Sequence, residues 1–523
     1  MSKCSGGIVI NVATIALASC GGGGGGVNGS QQFTISGTAS GLSGLGLVLQ
    51  VTGAGSVAVT SDGPFQFPTA VPDGTAYTVS VHTQPTNPAQ FCSVSDATAS
   101  GIVAGANITN IAVACTAQPA RFVYVVNSES DSICAYSINA STGALTAING
   151  SPFAAADVPN SLTLHPSGKF AYTSNSGANT ISEYSVDATS GALTPLSGSP
   201  IQVTPGSTIQ EHVSTFAIDP SGKLAFLGNP NEPITVNPAE QPNNLNVYHV
   251  DTANGVLTPI AGSPLSTHSA FPAEVVVDPA GKFVYVLNSQ LHAGIVGSSI
   301  ASYRIDSDTA TVTAVSSSPF GPFQALPRVF DLAPNGKFAV MASNHPGGLE
   351  SLVVNGETGA VATGDTTPMT AIVAVVDPSS KFVYLTDGMS VGGYRIDSTT
   401  GTFTQVGGTP ISLSSSLTLE EMTVDPAGKF LYVTAQDRLY AFTINSSTGE
   451  LTAVPGSPFV APAGNLFTQR LAIDPSGRFA YMPALDSDKV YGWRIDRSTG
   501  ALTAVAGSPF TAGLFAGEIV FLN

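Results

Sequence analysis

This sequence predicts an all-β protein: a β-propeller of eight blades, with seven as the alternative, preceded by a small β-sandwich. Three observations carry the prediction. Val, Thr, Ser and Gly are abundant while the strong helix formers are scarce. Glycine and proline number 56 and 36 in 523 residues, a density that demands frequent turns. Above all, the chain repeats itself from Arg121 onward, with a period of about 50 residues that suits four-stranded blades.

Composition excludes other classes. With 43% hydrophobic residues and a mean hydropathy of +0.24, the chain is no disordered acidic polymer. Only 17 Lys and Arg stand against 34 Asp and Glu, a net charge of −17. That leaves too few cations to neutralise phosphates, so no nucleic-acid partner is expected.

Residues 1–20 read as a lipoprotein signal peptide. Lys3 precedes a mostly apolar run, Ile8 to Ala18, too short to span a bilayer. It ends in Leu17-Ala18-Ser19-Cys20, which resembles the bacterial lipobox, with Cys20 as the lipidated residue. Gly21 to Gly26 open a flexible tether over 21–30. The expectation is a membrane partner through a lipid anchor and a place in the bacterial cell envelope, periplasmic or on the surface. An exported chain suits Cys92 and Cys115 as a disulfide, the alternative being two buried thiols. Cys134 lies in a repeat strand where other copies hold Ser182 or Ala301, so it reads as a small core residue.

Residues 31–118 alternate apolar and polar side chains, as in Leu47-Val48-Leu49-Gln50-Val51 and Tyr77-Thr78-Val79-Ser80-Val81. Turns such as Asp62-Gly63-Pro64 separate the runs. This is the pattern of a β-sandwich, and it resembles immunoglobulin-like or prealbumin-like modules of bacterial surface proteins.

From 121 to 523 each unit carries an apolar strand, Asp-Pro-x-Gly-Lys, a second strand such as Phe283-Val284-Tyr285-Val286, a third strand with an aromatic residue, Thr-Gly-Ala-Leu-Thr, and Gly-Ser-Pro-Phe. Asp-Pro-x-Gly has a turn mechanism, because proline presets φ and glycine accepts positive φ. In the third strand Tyr136, Tyr184, Tyr248, Tyr394, Phe442 and Trp493 each precede a glycine by seven residues, and Tyr303/Ala310 and Leu352/Gly359 are degenerate copies. The first unit lacks its opening strand, and Glu518-Ile519-Val520-Phe521-Leu522 is an opening strand with nothing after it. The C-terminal run should therefore complete the N-terminal blade and remove an exposed sheet edge.

These motifs resemble the lactonase-type, or 6-phosphogluconolactonase-like, β-propeller family, which is usually seven-bladed. The resemblance implies lactone hydrolysis at a Pro-Arg-His at the start of an opening strand and an Asn-Glu after a second strand. Here Pro327-Arg328-Val329 keeps the arginine and replaces the histidine; the equivalent positions hold Ser161, Thr215, Glu274, Val373, Glu421, Arg470 and Glu518. After Asn127 comes Ser128, with Glu129 one place late.

In a chain only 10% charged, the charges at the opening-strand starts stand out. Arg328, Glu421, Glu274 and His212 are the candidate catalytic residues, since a carboxylate or imidazole there could activate water. Arg470, Glu420 and Glu518 are candidate ligand-binding residues. Glu274, Glu421 and Glu518 could instead gather a cation, or the whole set could form an internally paired, solvated ring. No phosphate-cradling loop or Cys/His metal spacing is present, so neither a cofactor nor a metal is expected. The expected function is a tethered binding or scaffold module whose variable face meets a carbohydrate or protein partner; the alternative is a hydrolase opening a sugar lactone.

Overall fold

The computed structural model describes residues 31–523 except 43–45, 86–89, 96, 118–119, 204–215, 229–244, 268–271, 289–290, 293–294, 297, 324–326, 344–347, 414–418, 436–437, 461–470 and 485–487. The described residues hold strands and turns and no α-helix.

Alternation in the N-terminal region produces two four-stranded sheets. One orders Gly63–Gln66, Ile35–Ser40, Ile108–Ala117 and Gln90–Val94; the other orders Gly55–Val59, Leu47–Val51, Ala76–Thr83 and Ser100–Ile102. Ile35–Ser40 and Ile108–Ala117 pair in parallel, which joins the two ends of the region. The inward residues, among them Ile35, Leu49, Phe67 and Val103, form a hydrophobic core of their own. Cys92 and Cys115 face each other across adjacent strands and form a disulfide. Closing a loop of 23 residues is worth about 3 kcal/mol in the chain-entropy model.

The repeats fold into eight sheets, each with a four-strand path. Blade 2 is representative: Pro159–Leu164 innermost, then Phe170–Asn175, Thr180–Val186 and Leu193–Pro195, all antiparallel. Blade 1 takes its inner strand, Ala516–Leu522, from the C-terminus, paired with Phe122–Asn127. The degenerate unit at 327–366 is a full blade, so the seven-bladed alternative is not realised. Second strands are buried end to end because blades cover both their faces, which is why they read as unbroken apolar runs.

The repeated motifs each satisfy a main-chain group. In the Asp-Pro-x-Gly turn the carboxylate accepts the N–H five residues on, as Asp219 does from Leu224 at 2.7 Å and Asp474 from Phe479 at 2.7 Å. Gly-Ser-Pro contributes its serine hydroxyl as acceptor for a third-strand N–H that the short outer strand leaves unpaired: Ser151 serves Ala135 at 2.9 Å, and Ser199 serves Glu183 at 2.8 Å. Its X–Pro bond is cis in seven blades.

The ruler of seven residues has an inter-blade cause. The glycine ending it has positive φ and offers its carbonyl to the preceding blade. Tyr124 donates to Gly191 at 2.7 Å, Tyr172 to Gly255 at 2.6 Å, Tyr384 to Gly449 at 2.9 Å and Tyr432 to Gly500 at 3.0 Å; Tyr481 of blade 8 donates to Gly143 of blade 1 at 2.6 Å and closes the circle. Blades 4 and 5 substitute serines, Ser302 to Gly359 at 2.8 Å and Ser351 to Gly401 at 2.5 Å. Each such buried bond is worth about 1 kcal/mol net.

Candidate functional site

The inner strands lie side by side around the propeller axis, and several of their polar residues bond to the next blade. Glu518 of blade 1 accepts the Leu162 N–H of blade 2 at 2.8 Å. Glu274 of blade 4 accepts the Phe330 N–H of blade 5 at 2.9 Å. Asp331 of blade 5 accepts the Val376 N–H of blade 6 at 2.8 Å. Where the next blade offers a carbonyl, a hydroxyl donates: Thr163 to Phe216 and Thr423 to Leu471, both at 2.8 Å. A hydrogen bond to a charged acceptor is worth about 1.5–3 kcal/mol, so these carboxylates fasten blades together.

This places the sequence-predicted residues differently from a single cluster. Glu274 is half-buried and Glu518 exposed, and each is amide-bonded, on blades 4 and 1 respectively. Glu421 is half-buried on the inner strand of blade 7 and has its own partners. Arg328 and Glu420 lie on the inner strands of blades 5 and 7, but their side chains are not among those described. His212 and Arg470 lie outside the described residues, as do Cys20 and the insertion after Gly228. Among the described residues no group of three or more His, Cys, Asp or Glu converges as a metal site.

The two positions that the family resemblance marks out have other employment. Val329, in the histidine's place, packs against the apolar cluster shared with blade 6. Asn127 is fully buried; its amide donates to the Ser132 carbonyl at 3.2 Å and its Oδ1 accepts the Gly513 N–H at 3.0 Å. Glu129 is exposed beside it.

Two features escaped sequence reasoning. Asp331 is a fastener at the second alternate position of its strand, and strict alternation from Val329 would have pointed to it. Glu183 is buried at 1% exposure in the third strand of blade 2; its Oε1 accepts the Leu257 N–H at 2.8 Å and its Oε2 has no hydrogen-bond partner. Burial raises its pKa above the ordinary carboxylate value. A charge in an otherwise apolar and hydroxyl pattern was the available signal.

Charge is distributed unequally between the two ends of the ring. Arg121, Lys169, Lys223, Lys282, Lys337, Lys381, Lys429 and Arg478 each precede a second strand. Arg304, Arg395 and Arg494 stand opposite those strand starts in register, and Arg497 follows in a neighbouring turn. Twelve of the seventeen cations therefore occupy the end that carries the Asp-Pro-x-Gly turns. The five turn aspartates on that end are buried. A cleft of about 940 Å³ opens there, between the turns of blades 5–8 and the N-terminal sandwich, and none of the inner-strand glutamates lines it.

The family described as "Lactonase, 7-bladed beta-propeller" matches residues 78–211, 229–376 and 374–512. Among curated proteins none matches at a significant level. Among solved structures, a candidate 6-phosphogluconolactonase from Bacteroides fragilis is 17% identical, with 77% of this chain and 98% of that chain covered and a TM-score of 0.46. The periplasmic gluconolactonase of Pseudomonas aeruginosa is 16% identical over 66% of this chain and 95% of its own, at a TM-score of 0.45. The dihydro-heme d1 dehydrogenase NirN is 11% identical over 77% and 76%, with a TM-score of 0.50, a likeness of fold alone. With most of its length matched by the family, and with the inter-blade motifs accounting for the repeat, the chain belongs to the lactonase family of β-propellers, here built from eight blades.

Proposed function

We propose that this protein is an extracytoplasmic, membrane-tethered binding module rather than a hydrolase. One observation carries the reading: the inner-strand carboxylates Glu274, Glu518 and Asp331 are each engaged by a main-chain amide of the next blade. A carboxylate oxygen held that way is committed to joining neighbouring blades, which supports a structural role for these groups. The apolar packing of Val329 supports the same reading. The Cys92–Cys115 disulfide supports an oxidising compartment, and the Leu17-Ala18-Ser19-Cys20 sequence supports a lipid anchor. The variable loops between second and third strands and between blades supply the surface for a carbohydrate or protein partner.

Family membership favours a second reading, hydrolysis of a sugar lactone using Arg328 and Glu421. A net charge of −17 suits a neutral lactone better than a phosphorylated one. The test is turnover of a panel of neutral and phosphorylated lactones by the purified protein, beside Arg328→Ala and Glu421→Gln. We expect no turnover above the uncatalysed rate. Turnover lost at least tenfold in either variant rejects the binding reading. Fatty-acid labelling of the parent and of Cys20→Ala tests the anchor; equal labelling of both removes Cys20 as its site.

A further inference from the structure

We infer that the cleft between the sandwich and the turn end of the propeller is a binding site for a short, multiply charged acidic oligosaccharide. This goes beyond the function proposed above and does not rest on it, because it concerns the opposite end of the ring.

The charge balance of the lining is the first reason. Lys381, Lys429, Arg478 and Arg497 line the cleft, and they come from the neighbouring blades 6, 7 and 8. Two acids, Asp62 and Asp425, share the lining, and both are already engaged by amides. Asp62 accepts the Leu42 N–H at 2.6 Å; Asp425 accepts the Phe430 and Lys429 N–H groups, both at 2.6 Å. Lys381, Lys429 and Arg497 are exposed, and the one ion pair among the described residues lies elsewhere, between Lys223 and Asp308. Arg478 rests over the Phe479 ring at 5.3 Å and forms no ion pair among the described residues. Four cations thus meet in one concavity on a molecule whose net charge is −17.

Shape and lining chemistry select the ligand class. About 940 Å³ is ample for a di- or trisaccharide and is concave, so a flat bilayer cannot fill it. The walls carry exposed hydroxyls, Thr60 and Ser61 among them, which suit sugar hydroxyls. The one aromatic side chain in the lining, Phe430, is 4% exposed and offers no stacking platform for a nucleobase. The remaining acidic surface disfavours long polyanions, whereas a short one meets only the basic end.

The test is calorimetric titration of the full-length chain at about 50 mM salt, where surface charges are weakly screened. The probes are trigalacturonate, a disulfated disaccharide, and neutral maltotriose as control. We expect one or both acidic probes to bind, maltotriose not to bind, and affinity to fall as salt rises. Lys381→Ala with Lys429→Ala, two exposed turn positions, should weaken binding about tenfold with an unchanged Tm. A separate Arg497→Glu variant should do the same. Failure of both acidic probes to bind, equal binding of maltotriose, or full affinity in both variants overturns the inference. So does tighter binding of anionic vesicles or of a single-stranded oligonucleotide than of either acidic sugar. Lactone turnover is read separately, so either proposal can fail alone.

Discussion

Glu183 is the residue with the clearest physical tension. Its register partners in other blades are small or apolar, Ala135, Val247, Ala441 and Gly492 among them, whereas here a carboxylate is buried with one oxygen unbonded. A raised folded-state pKa means that Glu183 favours the fold while protonated and that this contribution is lost as pH rises through the folded value. His165 has the opposite sign. It replaces the turn aspartate in blade 2, bonds the Gly222 carbonyl through Nε2 at 2.8 Å, and burial holds its pKa below the ordinary imidazole value. Its stabilising effect is present above the unfolded value and is lost as pH falls. Glu183→Gln should therefore raise Tm by a few degrees at pH 8, on the order of 1–2 kcal/mol, and match the parent near pH 4. Thermal melts across that range check it; a variant uniformly less stable than the parent refutes the account.

At the scale of the element, the contact between a second strand and the next blade's turn explains both the motif and its exceptions. A Cβ on Gly255 would lie 2.6 Å from the Phe170 Cγ, and the glycine φ is +81°. The one junction without glycine, blade 3 to blade 4, has Ala310 at φ 52° and, in the phenylalanine's place, the smaller Leu224. Phe226 there replaces the tyrosine and Ala310 packs against the same apolar cluster, so the junction has exchanged a hydrogen bond for packing. Gly255→Ala should cost about 2–4 kcal/mol from overlap and backbone strain together. Adding Phe170→Leu should recover part of that loss, leaving the φ strain of about 1 kcal/mol. Additive losses in a double-mutant cycle would refute steric coupling. The seven-residue spacing of this contact was legible in the chain, because each unit repeats it. Its partner was not, because the phenylalanine and tyrosine that meet the glycine belong to the preceding blade.

At the scale of the molecule, ring closure depends on Ala516–Leu522. That strand pairs with Phe122–Asn127, its Glu518 holds blade 2, and Phe521 packs at a tilt against Tyr481 of blade 8, ring centroids 6.0 Å apart. Ending the chain at Phe515 removes all three and exposes the edge of blade 1. The truncated protein should lose its cooperative high-temperature transition and aggregate, while the disulfide-linked sandwich, with its separate core, keeps its own transition. Calorimetry and size-exclusion chromatography check this; an unchanged propeller transition would show that closure contributes little. The charge asymmetry between the two ends belongs to the same scale. It arises because the turn motif places one cation per blade at one end, a regularity invisible in a net charge.

The all-β class, the repeat and the closing strand were determined by the sequence, because each depends on local propensity, short spacing or a count, whereas the structure decided between a Cys92–Cys115 bridge and two thiols. Turn residues must sit where φ demands them, and apolar runs must be buried, so both leave marks that can be read along one chain. The candidate site was decided only by the tertiary structure. Glu274 and Glu518 read in the chain as charges at a channel mouth, while Asp331 drew no notice, and the structure joins each of the three to an amide 45 or more residues away. The physical reason is that a carboxylate's role depends on the groups that face it. In a propeller those groups come from the next blade.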